Sequence, residues 1–351
     1  MEYDAPWKGS SAGKAAPSIA TGAGVIAKTA SGDYIRKNVM AEPNAKVPAE
    51  NTDSAKGFAF ALTAYLLWGF LPFFMKAIAH IPAPEVVAHR IVWSVPLAGL
   101  VLVWLGRTED VKVALRSPRM LRMAALTAVL ITINWGIYVW AIGAGRAIET
   151  ALGYYINPLF SIFLGALLLK EKPSPAQMVA IALAAAAVGV LAFDAGGLPW
   201  VSIGLCLSWG FYAFFRKTLP IGPNQGFFLE VLLLSVPAIG YIIWLEATGQ
   251  GHFGDTGMTD VLWLMSCGIV TAIPLMIYAN GAKLLRLSTI GIMQYIAPTM
   301  IFLIAVFVFH EPFGTAKLIA FALIWAALVI YSGAMLAQSR ARRAEQVSPA
   351  E

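Results

Sequence analysis

Charge is what this sequence is short of. Only 13% of its 351 residues are Asp, Glu, Lys or Arg, whereas 59% are hydrophobic, and mean hydropathy is +0.71. A water-soluble domain carries roughly 25% charged residues. With so little charge the chain cannot coat a soluble globule of this size, and lipid must be the solvent for most of it. Cysteine is equally scarce: Cys206 and Cys267 both lie in apolar stretches, which excludes a disulfide framework or a cysteine metal site. There is no glycine-rich phosphate loop ending in Lys-Ser or Lys-Thr, so ATP is not the expected drive. No His-Glu-x-x-His, aspartate-rich metal motif or Ser–His pairing is visible, and neither catalysis, a metal nor a cofactor is expected. No charged ring or carbonyl filter marks a channel. The net charge of +6 forms no basic stripe with interleaved aromatics, so nucleic acid is not an expected partner.

What is present is a series of long apolar runs. Residues 1–56 are rich in Ala, Gly, Ser, Pro and Lys, contain no apolar run of signal-peptide length, and read as a disordered cytoplasmic tail, with Met40 an alternative start. From residue 57 ten segments follow, each about 20 residues and able to cross a bilayer as a helix. Their spans are 57–78, 85–105, 121–143, 147–169, 176–193, 199–218, 226–247, 259–281, 287–309 and 314–336. The fifth and sixth, separated only by Asp194–Leu198, are the shortest; read as one interfacial hairpin they would reduce the count to eight. The expected fold is therefore an all-α polytopic membrane protein, with a cytoplasmic C-terminal tail at 338–351. Lys and Arg divide 14 to 2 between the two sides even without the N-terminal tail. That bias places both termini in the cytoplasm and the protein in the inner membrane.

The two halves of the apolar region, 57–193 and 199–337, are related. An offset of 141 superimposes Trp68, Gly69, Phe70, Phe73, Phe74 and Lys76 on Trp209, Gly210, Phe211, Phe214, Phe215 and Lys217. The same offset pairs Pro82 with Pro223, and Ser94, Val95, Pro96 and Gly99 with Ser235, Val236, Pro237 and Gly240. An offset of 140 then pairs Tyr138 with Tyr278, Arg146 with Arg286, Tyr155, Ile156 and Pro158 with Tyr295, Ile296 and Pro298, and Glu171 with Glu311. Five spans per half is an odd number, so the copies lie in the membrane with opposite orientation. Two inverted five-helix repeats are the architecture of alternating-access transporters.

Charged groups inside hydrocarbon cost at least ~2.5–3.5 kcal/mol at a helix centre, which makes each one a functional candidate. Glu85, His89 and Trp93 share one helix face, and Glu85 with His89 is a candidate proton relay. Arg90 is a candidate to hold an anionic group of a substrate. Arg146 and Glu149 have the spacing of an interfacial ion pair that shares the exterior side with Glu85 and His89. Glu230 replaces His89 in the second repeat, near a cytoplasmic helix end, an asymmetry suited to two distinct gates; Glu171 and Glu311 read as helix caps. Helix-interior prolines recur at 72, 96, 158, 237, 274 and 298, each freeing a carbonyl that protein or a water cavity must satisfy. Around them stand Asn134, Trp135, Tyr154, Tyr155, Asn157, Gln294, Tyr295 and Thr299, the expected lining of a polar cavity where helices 3, 4, 8 and 9 meet. Trp68 and Trp209 with the glycines after them read as packing and hinge positions.

Several runs resemble the EamA branch of the drug/metabolite transporter superfamily, and within it the RarD-type permeases. They are Ala88-His89-Arg90-Ile91-Val92-Trp93-Ser94, Asn134-Trp135, Gly145-Arg146 and Leu152-Gly153-Tyr154-Tyr155-Ile156-Asn157-Pro158. The resemblance covers about 57–337, and the long N-terminal tail departs from it. It implies ten helices in two repeats, a place in the cytoplasmic membrane and a permease role for a small-molecule substrate, with the lipid bilayer as surroundings. A homodimer is one expected assembly.

Overall fold

The computed structural model describes residues 54–168, 173–194, 196–254, 256–282, 284–285 and 287–347, without side chains at 217–218, 287–288 and 338–347. The expected tail up to residue 53, Glu171 and Arg286 lie outside the described residues. Helices account for all the regular structure among the described residues. In chain order they are α1 (Ala55–Ala77), α2 (Ala83–Trp104), α3 (Thr108–Leu115), α4 (Pro118–Gly143), α5 (Ala147–Leu168), α6 (Pro175–Asp194), α7 (Trp200–Thr218), α8 (Pro223–Ala247), α9 (Met258–Ala282), α10 (Leu287–Met293), α11 (Ile296–Phe307) and α12 (Thr315–Val347).

Local chemistry sets their ends. Ser54 accepts the Gly57 N–H at 2.9 Å and starts α1, while Pro118 and Pro223 open α4 and α8 at positions where a missing N–H costs nothing. Gly145, at φ 70°, turns the chain out of α4; the Arg146 N–H then reaches back to the Ala141 carbonyl at 2.8 Å, which fixes Arg146 at the mouth of α5. Gly249, at φ 64°, does the same after α8 and launches the loop that runs to α9.

Nine stretches among the described residues are long and apolar enough to cross a membrane. They are α1, α2, α4, α5, α6, α8, α9, the α10–α11 stretch Thr289–Phe307, and α12 over Thr315–Ala337. All nine fall on expected spans. The remaining expected span, 199–218, is the 19-residue helix α7, which is less apolar. Its polar positions are internal: Ser202 is buried and donates to the Glu149 carbonyl at 2.8 Å, and Ser208 is buried against α4.

Three details depart from the expected spans. The ninth breaks into α10 and α11 at Gln294–Tyr295, just before Pro298, whose missing N–H prevents a continuous ladder. The short helix α3 was not expected; Val111 and Ala114 bury one side of it. The helix α12 runs on to Val347, because its Ala-, Arg- and Gln-rich extension contains no Gly or Pro to stop it, so the expected C-terminal tail begins as helix.

Packing follows the sequence repeat. In the first half α1 lies along α9 and α11; in the second, its counterpart α7 lies along α4 and α5. Likewise α2 packs on α9 as α8 packs on α4, and the counterpart pairs α2–α8, α5–α11 and α6–α12 contact one another. Every principal contact thus recurs when the halves are exchanged. The repeated glycines serve these contacts: a Cβ at Gly69 would run into Met300 on α11, and one at Gly210 into Phe160 on α5. One contiguous apolar core, including Ile131, Leu152, Leu205, Phe227 and Phe321, fills the space between the halves.

Candidate functional site

Seven residues into α2, about 10 Å from its start, Arg90 is buried at 3% exposure. Its partner Thr271 sits near the middle of α9, so the guanidinium lies deep in the bundle. Nε donates to Thr271 Oγ1 at 3.0 Å, and the guanidinium stands 4.8 Å over the Trp135 ring. Thr271 in turn donates to the Cys267 carbonyl at 2.7 Å, which aims its oxygen lone pairs at Arg90. Tyr138, Tyr154 and Cys267 are near enough to interact with the guanidinium electrostatically. No carboxylate pairs with Arg90 among the described residues, and its Nη1 and the Tyr138 hydroxyl are buried without a hydrogen-bond partner there. A desolvated cation with an unspent donor beside an unspent hydroxyl is equipped to receive an anion.

The neighbouring residues are held firmly. Asn134 donates to the Leu205 carbonyl at 3.2 Å and to Ser208 Oγ at 3.0 Å, and its Oδ1 accepts from the Tyr154 hydroxyl at 3.0 Å. That network orients Tyr154, which also meets Trp209 edge-on at 6.3 Å and Tyr138 at 6.1 Å. Arg90, Asn134 and Tyr154 are therefore brought together as one site, with Trp135 as its wall.

Tyr155 faces the other way. Its hydroxyl bonds Thr299 Oγ1 at 2.6 Å and its ring stacks on Tyr295 at 6.2 Å, joining α5 to the α10–α11 break. The Tyr295 hydroxyl and Asn157 Oδ1 are buried without a partner among the described residues. Gln294 turns back to the Gly291 carbonyl at 3.0 Å. The expected lining residues thus divide between two polar clusters on different faces of α5, because the consecutive Tyr154 and Tyr155 point about 100° apart.

Glu85 and His89 differ from the expected relay. Glu85 is buried and takes both the backbone N–H of His252 at 2.7 Å and its Nδ1 at 2.8 Å. The loop after α8 thereby folds over α2, and Phe253 stacks on His89 at 5.0 Å. His89 Nδ1 accepts from Trp93 Nε1 at 3.2 Å, as one-face spacing predicts, so the neutral ring carries its proton on the buried Nε2. His89, Trp93 and Phe253 line a cleft of about 200 Å³ with Ile239 and Ile243, which are exposed on the outer surface of the bundle.

Arg146 and Glu149 form a two-point ion pair at 2.6 and 2.8 Å, with the guanidinium 5.6 and 5.5 Å from the rings of Trp140 and Trp200, which pack on each other at 5.0 Å. They link α4, α5 and α7 rather than joining Glu85 and His89. Glu311 accepts the Ala147 and Ile148 N–H groups at 2.6 and 2.9 Å; it caps α5 from across the repeat, where the helix dipole favours negative charge.

Pattern alone passed over Thr271, Tyr138 and His252. Thr271 is an ordinary small polar residue in an apolar run, and His252 lies in a loop with no periodicity. Tyr138 carried a signal, its identity with Tyr278 across the repeat.

The model of the EamA-like transporter family matches residues 55–193, the first of the two repeats. Protein RarD of Streptomyces exfoliatus is 40% identical over 296 residues, covering 84% of this chain and 94% of its own. An uncharacterized transporter of Vibrio cholerae is 40% identical over 297 residues, 84% of this chain and 98% of its own. One solved crystal structure has the same fold, with a TM-score of 0.53 at 19% identity over 80% of this chain and 98% of its own. With its helical membrane architecture and these relatives, the chain belongs to the EamA-like transporter family, in its RarD-like branch of permeases.

Proposed function

We propose that the protein is a secondary transporter that carries a small organic anion across the cytoplasmic membrane by alternating access, with both termini in the cytoplasm. Membership in a transporter family sets the class; the observation that carries the substrate chemistry is Arg90. A guanidinium at 3% exposure, with no carboxylate partner and no partner for Nη1 among the described residues, is expensive to keep in a membrane protein unless a ligand completes it. Trp135, Tyr138 and Tyr154 around it favour an anion attached to a flat or apolar body. The two halves make corresponding contacts, which supports two interconverting packings, and inversion of one copy would turn that exchange into access from alternate sides.

The test begins with a thermal-stability screen of purified protein against carboxylates, sulfonates and phosphates. The strongest stabiliser is then offered, radiolabelled, to proteoliposomes preloaded with the same compound unlabelled. Saturable counterflow of unmodified compound supports the reading. Flux that never saturates, or a panel in which only cations stabilise, refutes it.

A further inference from the structure

We propose that Glu230 is a proton-binding site that couples transport to the proton gradient, its protonation releasing α8 from α4 and α7 on the side opposite the Glu85–His252 contact. This rests on the transporter reading, and adds the coupling ion to it. Glu230 lies seven residues into α8, about 10 Å from its start, and is 1% exposed. By the repeat it occupies the place of His89, so the two halves carry titratable groups at matched depths from opposite faces.

Among the described residues, the polar groups that bond or pair with the carboxylate are donors to it. Thr127 on α4 gives Oε1 a bond of 2.7 Å, Arg216 on α7 approaches the same oxygen with Nε at 3.3 Å, and Tyr212 on α7 donates to Oε2 at 3.2 Å. Arg216 and Tyr212 are the titratable groups facing it. Asp110 on α3 is taken up by Gln225, more than a turn nearer the surface, at 2.9 Å. A shell of three donors fits an acceptor-only, ionised carboxylate, which ties α8 to two other helices at once.

A proton added to either oxygen turns that acceptor into a donor facing donors. The Thr127 and Tyr212 hydroxyls can accept it only by turning their own protons away, as Thr127 can toward the Ala124 carbonyl at 3.0 Å, and Arg216 cannot accept it at all. The ion pair is lost as well. Arg216 keeps a place of its own, since Nη2 donates to the Pro223 carbonyl at 2.8 Å and the guanidinium rests in the space left by Gly226. Both contacts are on α8, so the cation is not stranded when the carboxylate is neutralised, and what protonation loosens is the hold of α8 on Thr127 of α4 and on Tyr212 of α7. Arg216 also reaches the surface, at 15% side-chain exposure, so only this one side chain separates that part of the surface from Glu230.

The same elements reach the Arg90 site. Thr127 and Trp135 stand two turns apart on α4, and α7 presents Ser208 to Asn134 and Tyr212 to Glu230. Between them Tyr212, Trp209 and Tyr154 form an aromatic chain with ring spacings of 5.6 and 6.3 Å. Release at Glu230 therefore changes the footing of the residues that face Arg90, the physical requirement for coupling two sites.

The test needs no substrate, so its failure is separable from failure of the anion reading. Full-length protein in nanodiscs is titrated from about pH 8 to about pH 5. Hydrogen exchange at 223–234 is followed with labelling times corrected for intrinsic rates, and infrared difference spectra report carboxylic-acid C=O. Wild type should gain an acid band and exchange on the order of tenfold faster in this segment at low pH, the factor given by about 1.4 kcal/mol of lost local stability. Glu230→Gln should exchange rapidly at both pH values and lack the band, while the exposed-site control Glu109→Gln behaves as wild type. If Glu230→Gln does not fold, Tyr212→Phe, which removes one donor, should move the exchange midpoint to higher pH. An undiminished band in Glu230→Gln, slow exchange in that variant at high pH, or an unmoved midpoint in Tyr212→Phe overturns the proposal.

Discussion

Replacing Arg90 with methionine removes the charge while keeping much of the side chain's apolar stem. In the ligand-free protein this forfeits one charge-assisted bond to Thr271, about 1.5–3 kcal/mol, and a desolvated cation–π contact of about 2 kcal/mol. Against that stands the burial penalty of a cation without a carboxylate partner, several kcal/mol on its own. The terms nearly offset, so Arg90→Met should unfold within about 2 kcal/mol of wild type, and on the stable side if the burial term dominates. Ligand binding tells the two apart. A bound anion at about 100 times its Kd adds about 2.7 kcal/mol, or roughly 4 °C in thermal unfolding, to wild type and almost nothing to the variant. Arg90→Lys should fall between, because an ammonium lacks the planar fork that spans Thr271 and a ligand. The assay is thermal unfolding of both variants and wild type with the best anion found by screening. Equal stabilisation of Arg90→Met and wild type would refute the assignment of the anion site. So would collapse of the ligand-free Arg90→Met fold, which would make Arg90 a structural cation.

Three further outcomes follow from particular contacts. Glu311→Gln replaces a carboxylate that accepts two N–H groups at the start of α5 with an amide that presents one acceptor, and should cost about 1–2 kcal/mol in thermal or denaturant unfolding. His252→Ala removes the imidazole bond to Glu85 and should raise hydrogen exchange in the loop after α8 without changing exchange at 223–234. A Cβ at Gly268 meets the backbone of Trp93, so Gly268→Ala must push α2 from α9; it should destabilise the protein by about 1–3 kcal/mol and weaken anion binding by disturbing Arg90–Thr271.

The spans were legible because a bilayer imposes length and apolarity on every crossing helix, and the Trp-Gly and Pro positions shared by the two halves fall on helices that make corresponding contacts. Less visible was α7, whose serines satisfy themselves against α4 and α5 and whose hydropathy therefore falls. The break between α10 and α11 was signalled by Pro298 but its position was not, since neighbouring helices decide where freed carbonyls find partners. At the site, charge scarcity singled out Arg90 and Glu85 correctly as buried groups, while their partners stayed hidden. Glu85 pairs with His252, 167 positions away, and Arg90 with Thr271, 181 away; nothing local encodes such contacts. Spacing along α2 suggested Glu85 with His89 because one helix was all the sequence could display. Glu230 was read as lying near a cytoplasmic helix end, and its burial under donors from two other helices was not legible in the sequence.

Alternating access makes one demand that native chemistry can check. Cys267, one turn before Thr271 and within electrostatic reach of Arg90, marks the site without any engineered thiol there. In a Cys206→Ser background, a membrane-impermeant thiol reagent is applied to right-side-out and to inside-out vesicles. The account predicts slow labelling of Cys267 from both faces and suppression of both by the stabilising anion; labelling confined to one face would contradict it.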